Sequence, residues 1–138
     1  MNTKFSLGLL SIAICLAGCA SHPVSQLHVV SNYFTTGENV VKGVRTPATA
    51  FTSKDVVVYV VDLQWDNANE GFGGHNITFN WYNGTKLVST FHHGVSFDES
   101  PVELPNLKPA SSLGAGHFKV ELLIDKTLIA SKEFDINQ

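Results

Sequence analysis

The sequence predicts an all-β domain folded as an antiparallel β-sandwich, and three observations lead to this prediction. From residue 27 onward, β-branched and aromatic residues gather in short runs separated by Gly, Asn, Asp and Pro. Several of these runs alternate apolar with polar residues, which is the period of a strand with one buried face. No segment shows a convincing helical spacing of apolar residues. We therefore expect seven or eight strands and no helix.

The first half of the domain contains three predicted strands and one short extended piece. We predict strands over residues 27–34 and 40–45, joined by a turn at 36–39, and an extended piece around Phe51. The next run, 56–61, is apolar on both faces. A strand of this kind is covered on both sides, so we expect it to be central in its sheet.

A predicted hairpin follows. Ile77, Phe79 and Trp81 alternate with polar residues and are expected to face the core. Asn83-Gly84 then suits a two-residue type I′ turn, because both of its central positions need positive φ. The return strand is predicted over residues 87–93. The cross-strand pairs expected from this turn are Trp81 with Lys86 and Phe79 with Val88.

The last part of the chain begins with a segment rich in proline. Three prolines exclude a central strand there: Pro101, Pro105 and Pro109. We therefore interpret residues 98–116 as a crossover between two sheets. Strict alternation then predicts a strand whose core residues are Phe118, Val120, Leu122 and Ile124. A tight turn at Asp125-Lys126 leads to a last strand over residues 128–136.

The strand count matches an immunoglobulin-like sandwich, with a small closed β-barrel as the alternative. The hairpins also resemble those of bacterial immunoglobulin-like modules. The matching residues are His75, Trp81, Asn83-Gly84, Gly116, Phe118, Val120, Asp125 and Phe134. They are turn and core positions, so the resemblance implies a fold but does not imply a function for this chain. Lys126 stands where such modules often have Gly, which favours a turn longer than two residues.

The N-terminal segment has the pattern of an export signal. Lys4 precedes an apolar run over residues 5–16, which is too short to span a bilayer and is typical of a secretory signal peptide. We predict a signal peptide over residues 1–18, a tether over 19–26 and the β-sandwich domain over 27–138. There are two alternatives: an ordinary signal peptide in which Cys19 occurs by chance, or a short buried helix at the start of a cytosolic domain.

Leu16-Ala17-Gly18-Cys19 resembles the lipobox of bacterial lipoproteins. The resemblance implies cleavage after Gly18, a diacylglycerol on Cys19 and acylation of the freed amine, which together give a stable membrane anchor. Ala20 follows the cysteine, and this favours the outer membrane, facing the periplasm; the cell surface is the alternative. Cys15 is lost with the leader, so residues 19–138 keep no cysteine pair for a disulfide.

The composition argues against a nucleic-acid partner. Nine Lys and Arg stand against twelve Asp and Glu, a formal net charge of −3, and no basic cluster occurs. No pattern of a catalytic nucleophile with its base appears either. We therefore expect a protein that is not an enzyme and that carries no cofactor beyond the lipid on Cys19.

Two sets of residues are candidates for binding. His75, His93 and His117 could form a zinc or copper site if their loops and strands converge, although exposed histidines with ordinary partners are the simpler interpretation. Phe72 lies between glycines on a loop, where an exposed ring could bind a partner, or could fold back over the end of the sandwich. The sequence thus favours a lipid-anchored, non-catalytic binding or assembly module for another envelope protein; the alternative is a histidine-based metal-binding or small-ligand-binding lipoprotein.

Overall fold

The protein forms two β-sheets that pack face to face. A computed structural model describes residues 26–66 and 73–138. Its elements are β1 (Leu27–Thr36), α1 (Gly37–Val41), β2 (Ala50–Thr52), β3 (Val56–Trp65), β4 (Gly73–Asn83), β5 (Lys86–Phe97), β6 (Val102–Pro109), α2 (Ala110–Leu113), β7 (Gly116–Ile124) and β8 (Thr127–Asn137).

The small sheet has the strand order β1-β3-β6, and the large sheet has the order β2-β8-β7-β4-β5. All neighbouring strands are antiparallel except β2 and β8, which are parallel. The prediction of an all-β sandwich is confirmed. Within the described residues the strands form two separate sheets, so the alternative of a closed barrel is wrong.

The core lies between the sheets and contains the residues predicted from alternation. Phe79 and Trp81 of β4 are completely buried, and Ile77 nearly so. On β7 the four predicted core residues are also completely buried: Phe118, Val120, Leu122 and Ile124. The run that is apolar on both faces is the centre of the small sheet, as predicted, and Val57–Val61 is buried throughout.

The strand predicted over residues 40–45 is wrong, because α1 begins at Gly37 and ends at Val41. The Thr36 hydroxyl accepts a hydrogen bond from the N–H of Asn39 at 3.2 Å, and this N-cap provides a partner for one free donor of the first turn. The cap therefore outweighs the strand preference of Val40 and Val41.

The proline-rich segment predicted as a crossover is also different in the structure. It contains β6 and the single turn α2. Pro105 pairs with Val60 and Pro109 with Val56, which is compatible with proline because β6 is an edge strand. The prolines excluded a central strand correctly, but they did not exclude an edge strand.

The β4–β5 hairpin turns at Gly84-Thr85 and not at Asn83-Gly84, since Asn83 pairs with Lys86 and Gly84 has φ +57°. The register then shifts by one residue at Val88. As a result the two predicted cross-strand pairs are wrong: Trp81 lies opposite Ser89, and Phe79 lies opposite Phe91. A β-bulge of this kind moves every later side chain of the strand to the other face.

The β7–β8 turn has two residues, because Ile124 pairs with Thr127. Asp125 and Lys126 have φ values of 48° and 70°, the pattern of a type I′ turn. The tight turn predicted at Asp125-Lys126 is therefore confirmed, and the expectation of a longer turn is wrong. Lys126 adopts a left-handed conformation that usually favours glycine.

Candidate functional site

The structure does not bring His75, His93 and His117 together. His75 lies near the start of β4 and His117 near the start of β7, and these strands are antiparallel neighbours, with Asn83 opposite Phe118. The two histidines are therefore at opposite ends of the large sheet. Among the residues that the structure describes, no three His, Cys, Asp or Glu side chains are grouped as metal ligands.

His75 is buried and makes contacts that stabilise the fold. The residue is 3% exposed, its ring packs against Phe97, and its Nδ1 is 2.6 Å from Oδ2 of Asp125. The other carboxylate oxygen of Asp125 accepts the N–H of Asn76 at 2.8 Å. Partial burial alone would raise the pKa of Asp125, but the Asn76 N–H and the His75 ring together hold it below its ordinary value. Both oxygens of Asp125 are thus engaged with β4.

His117 belongs to an exposed group of charges on the outer face of the large sheet. Its Nδ1 is 2.7 Å from Oδ1 of Asp135, and its Nε2 is 3.4 Å from Oε2 of Glu133. The hydrogen bond to Asp135 is the main cause that raises the pKa of His117. Because the carboxylates contact different ring nitrogens, they do not converge on a point where a metal ion could sit.

His92 and His93 point to opposite faces of β5. His92 Nδ1 is 2.9 Å from the Thr78 hydroxyl on the outer face, whereas the His93 ring packs near Phe91 on the inner face. Cys19 and Phe72 lie outside the described residues, so the predictions for them remain predictions. No helix in residues 26–66 and 73–138 is long and apolar enough to cross a membrane.

The most distinctive surface of the molecule is the open edge of β5. This strand is twelve residues long and pairs only with β4, so one side of it presents N–H and C=O groups without a ladder partner among the described strands. It contains neither proline nor an acidic residue, and its one charged residue, with histidine neutral, is Lys86. Leu87, Val88 and Phe91 are exposed along it.

Other edges of the sandwich are shorter, interrupted or covered. β2 has three residues, and β6 lacks N–H groups at Pro105 and Pro109. β1 and β8 each contain a register shift, as β5 does. The segment after α1 bonds to the second half of β1, where the Ala48 N–H donates to the Phe34 carbonyl at 2.7 Å. The first half of β8 extends beyond β2, but β8 contains the charged residues Lys132 and Glu133.

The inner face of β5 extends beyond the small sheet. After the bulge, Phe91 points in the same direction as its buried partner Phe79, yet Phe91 is 43% exposed. The strand therefore presents the exposed aromatic ring of Phe91 in addition to its unpaired backbone groups. Sequence reasoning did not locate this surface, although a long strand without proline or acidic residues was a signal that could have indicated it.

A pocket of about 600 Å³ lies where β4, β5 and the β7–β8 turn meet. Gly94, opposite Asn76 in the ladder, places no side chain in this space. The lining includes the hydrogen-bonding side chains of Asn76, Thr78 and His92, and the adjacent charges of Asp125 and Lys126.

Comparisons with known proteins support the fold. An immunoglobulin-like protein from Pseudomonas aeruginosa superposes with a TM-score of 0.52 at 11% identity, over 80% of this chain and 96% of that chain. The fold is immunoglobulin-like. An alkylpurine DNA glycosylase from Pseudomonas fluorescens matches with a TM-score of 0.57 at 9% identity, over 82% of this chain and 31% of its own. At such identities the likeness concerns the fold alone. No protein-family model and no curated protein matches the sequence.

Proposed function

We propose that this immunoglobulin-like domain is a non-catalytic binding module of the bacterial cell envelope that holds another protein by strand addition at β5. The open edge of β5 carries this proposal. An extended segment of a partner can satisfy the free backbone groups of such an edge and place alternate side chains against the adjoining face.

The exposed side chains of β5 fit this role. Among the described residues, the strand has no proline, no inward-pointing charge and no covering loop; its edge protections are the bulge at Val88 and Lys86 at its start. Leu87 and Phe91 would gain apolar contacts on being covered, at about 25 cal/mol per Å² of buried apolar surface. The histidine-based alternative receives less support, since its three ligands are not brought together.

A paired set of variants tests the proposal. Intact lipidated protein is captured from gently solubilised envelope, and the bound proteins are quantified by mass spectrometry, with metal analysis of the same sample. Phe91→Lys places a charge on the β5 edge and should abolish a stoichiometric partner. Leu107→Lys is the matched control, because Leu107 is also an exposed apolar residue but lies on β6; it is 58% exposed, against 43% for Phe91.

A partner retained by Phe91→Lys, or lost equally from both variants, would contradict strand addition at β5. Stoichiometric zinc or copper without any protein partner would favour the metal-binding alternative instead.

The envelope location is part of the same proposal and rests on the Leu16-Ala17-Gly18-Cys19 motif. Lipid on Cys19 would hold the domain at the outer membrane, facing the periplasm, without a membrane-spanning helix. Cys19→Ala should move the protein from the detergent phase to the aqueous phase in a phase-partition assay. A Cys15→Ala variant should remain lipidated, so equal partitioning of both variants would contradict the anchor.

A further inference from the structure

We infer that the pocket lined by β4, β5 and the β7–β8 turn is a carboxylate-binding site that recognises an acidic side chain of the added strand. The pocket has Asn76, Thr78, His92 and Lys126 in its lining. This inference rests on the proposed function and adds the chemical class of the partner segment.

The positive charge of the pocket is available to a ligand. Lys126 takes part in none of the ion pairs among the described residues. Its neighbour Asp125 also lines the pocket and keeps its negative charge, but one oxygen of that carboxylate contacts His75 and the other accepts the Asn76 N–H. Neither oxygen forms an ion pair with Lys126, so the lysine ammonium can still pair with a further anion.

The other lining groups suit a carboxylate. The Thr78 hydroxyl lies 2.9 Å from Nδ1 of His92, and a hydroxyl that donates to Nδ1 leaves the ring proton on Nε2, where it is a donor. The Asn76 amide supplies further donors. An ionised oxygen that accepts from such groups forms stronger hydrogen bonds than a neutral one.

The surroundings of β5 favour an acidic partner as well. Lys86 begins the strand, and Lys108 lies on β6 with its Nζ 5.9 Å from the Trp81 ring centroid. Neither lysine forms an ion pair with a described carboxylate. In a chain whose formal net charge is −3, three lysines without a described carboxylate partner therefore lie on β5 (Lys86), beside Trp81 of the neighbouring strand (Lys108) and in the pocket lining (Lys126). We expect a partner segment with apolar side chains toward Phe91 and carboxylates on its other face.

The conformation of Lys126 agrees with a binding role. Its φ of +70° is unfavourable for a residue with a Cβ, and glycine would occupy this turn position without strain. Residues held in such conformations cluster at functional sites, ligand clamps among them.

Synthetic peptides of alternating Val and Thr test the inference. One carries Glu in place of a central Thr, its twin carries Gln, and a third is the Glu peptide with N-methylated backbone on its pairing side. We expect the Glu peptide to bind about fivefold more tightly than the Gln twin, with a preference that weakens at high salt. NMR should show protection of β5 amides with both and a shift of the His92 ring only with Glu.

Lys126→Gly should remove the preference for Glu while leaving the protection of β5 unchanged. Lys54→Gly makes the same change of charge in the turn before β3 and should keep the preference. Equal binding of the Glu and Gln peptides, or a preference that survives in Lys126→Gly, would overturn the carboxylate site alone. If no peptide protects β5, or the N-methylated peptide binds as well as its parent, strand addition itself is wrong, and the inference fails with it.

Discussion

Lys126 is the residue whose backbone is least suited to its side chain. A left-handed conformation costs an L-residue about 1–2 kcal/mol, whereas Gly loses about 0.5–1 kcal/mol of extra chain entropy on folding. Lys126→Gly should therefore stabilise the domain by about 0.5 kcal/mol and raise its Tm by about 2–4 °C. Thermal unfolding followed by circular dichroism measures this.

The control for this prediction is Lys86→Gly, which removes an equivalent lysine at the start of β5. Its backbone is not left-handed, so glycine there relieves nothing and should lower the Tm. A Lys126→Gly variant that melts at or below the wild-type temperature would show that Lys126 makes a favourable contact outweighing the backbone strain.

His117 links stability to pH in a defined direction. The Asp135 hydrogen bond raises its pKa in the folded state, so the folded protein binds the proton more tightly than the unfolded chain. This contribution is fully present below the ordinary histidine pKa of about 6.5 and is lost as the pH rises through the raised pKa. Because the ring is exposed, we expect a small effect.

Urea unfolding between about pH 5 and pH 9 tests this coupling. The difference in unfolding free energy between wild type and His117→Gln should shrink as the pH rises. In an Asp135→Asn background the same substitution should show a much weaker pH dependence. A difference that grows toward alkaline pH would contradict the assignment.

Helix α1 shows how tightly one element packs on another. A Cβ built on Gly37 would lie 2.9 Å from the Cβ of Val56, closer than atoms of two packed residues approach. Gly37→Ala should therefore destabilise the domain by about 1 kcal/mol, because overpacking costs about 1–3 kcal/mol and the gain in helix propensity is at most about 1 kcal/mol. Chemical denaturation measures the change.

Gly74→Ala is the comparison for that prediction, since its added Cβ meets no atom within 4 Å. It should change the stability by less than about 0.5 kcal/mol. If Gly37→Ala were as well tolerated as Gly74→Ala, α1 would not be held against β3 as the structure shows.

The elements differ in how well the sequence specified them. Period-two alternation correctly identified β4 and β7, because burial on one face depends only on the residue types. It failed at α1, where the Thr36 cap decides the conformation, and at β6, where only the edge position makes proline acceptable. On β5 the side chains after Val88 lie on the opposite face from the one predicted, because of the bulge at Val88. Residue types alone do not indicate this bulge. The open edge that forms the candidate site could not be located either, because the order of strands from distant parts of the chain determines which strand lies at an edge.

At the scale of the whole molecule, a hydrogen bond between Trp81 and Asn106 joins the two sheets through the core. The indole Nε1 of Trp81, on β4 in the large sheet, donates to Oδ1 of Asn106, on β6 in the small sheet, at 2.9 Å. Trp81 is completely buried, so its N–H has no access to solvent if this acceptor is removed. A buried donor without an acceptor costs about 1–3 kcal/mol.

Asn106→Ala should therefore lower the unfolding free energy by about 1–3 kcal/mol, measured by urea denaturation. Asn80→Ala is the matched control, because Asn80 accepts a hydrogen bond from Thr90 on the exposed outer face, where water can replace the lost partner. In a Trp81→Phe background the indole N–H is absent, so Asn106→Ala should cost much less than in the wild type. An equal cost in both backgrounds would mean that Asn106 stabilises β6 locally and that apolar packing alone couples the sheets. A reduced cost would show that the β6 edge is fixed to the large sheet through Trp81, which holds the small sheet in its position beside the open β5 edge.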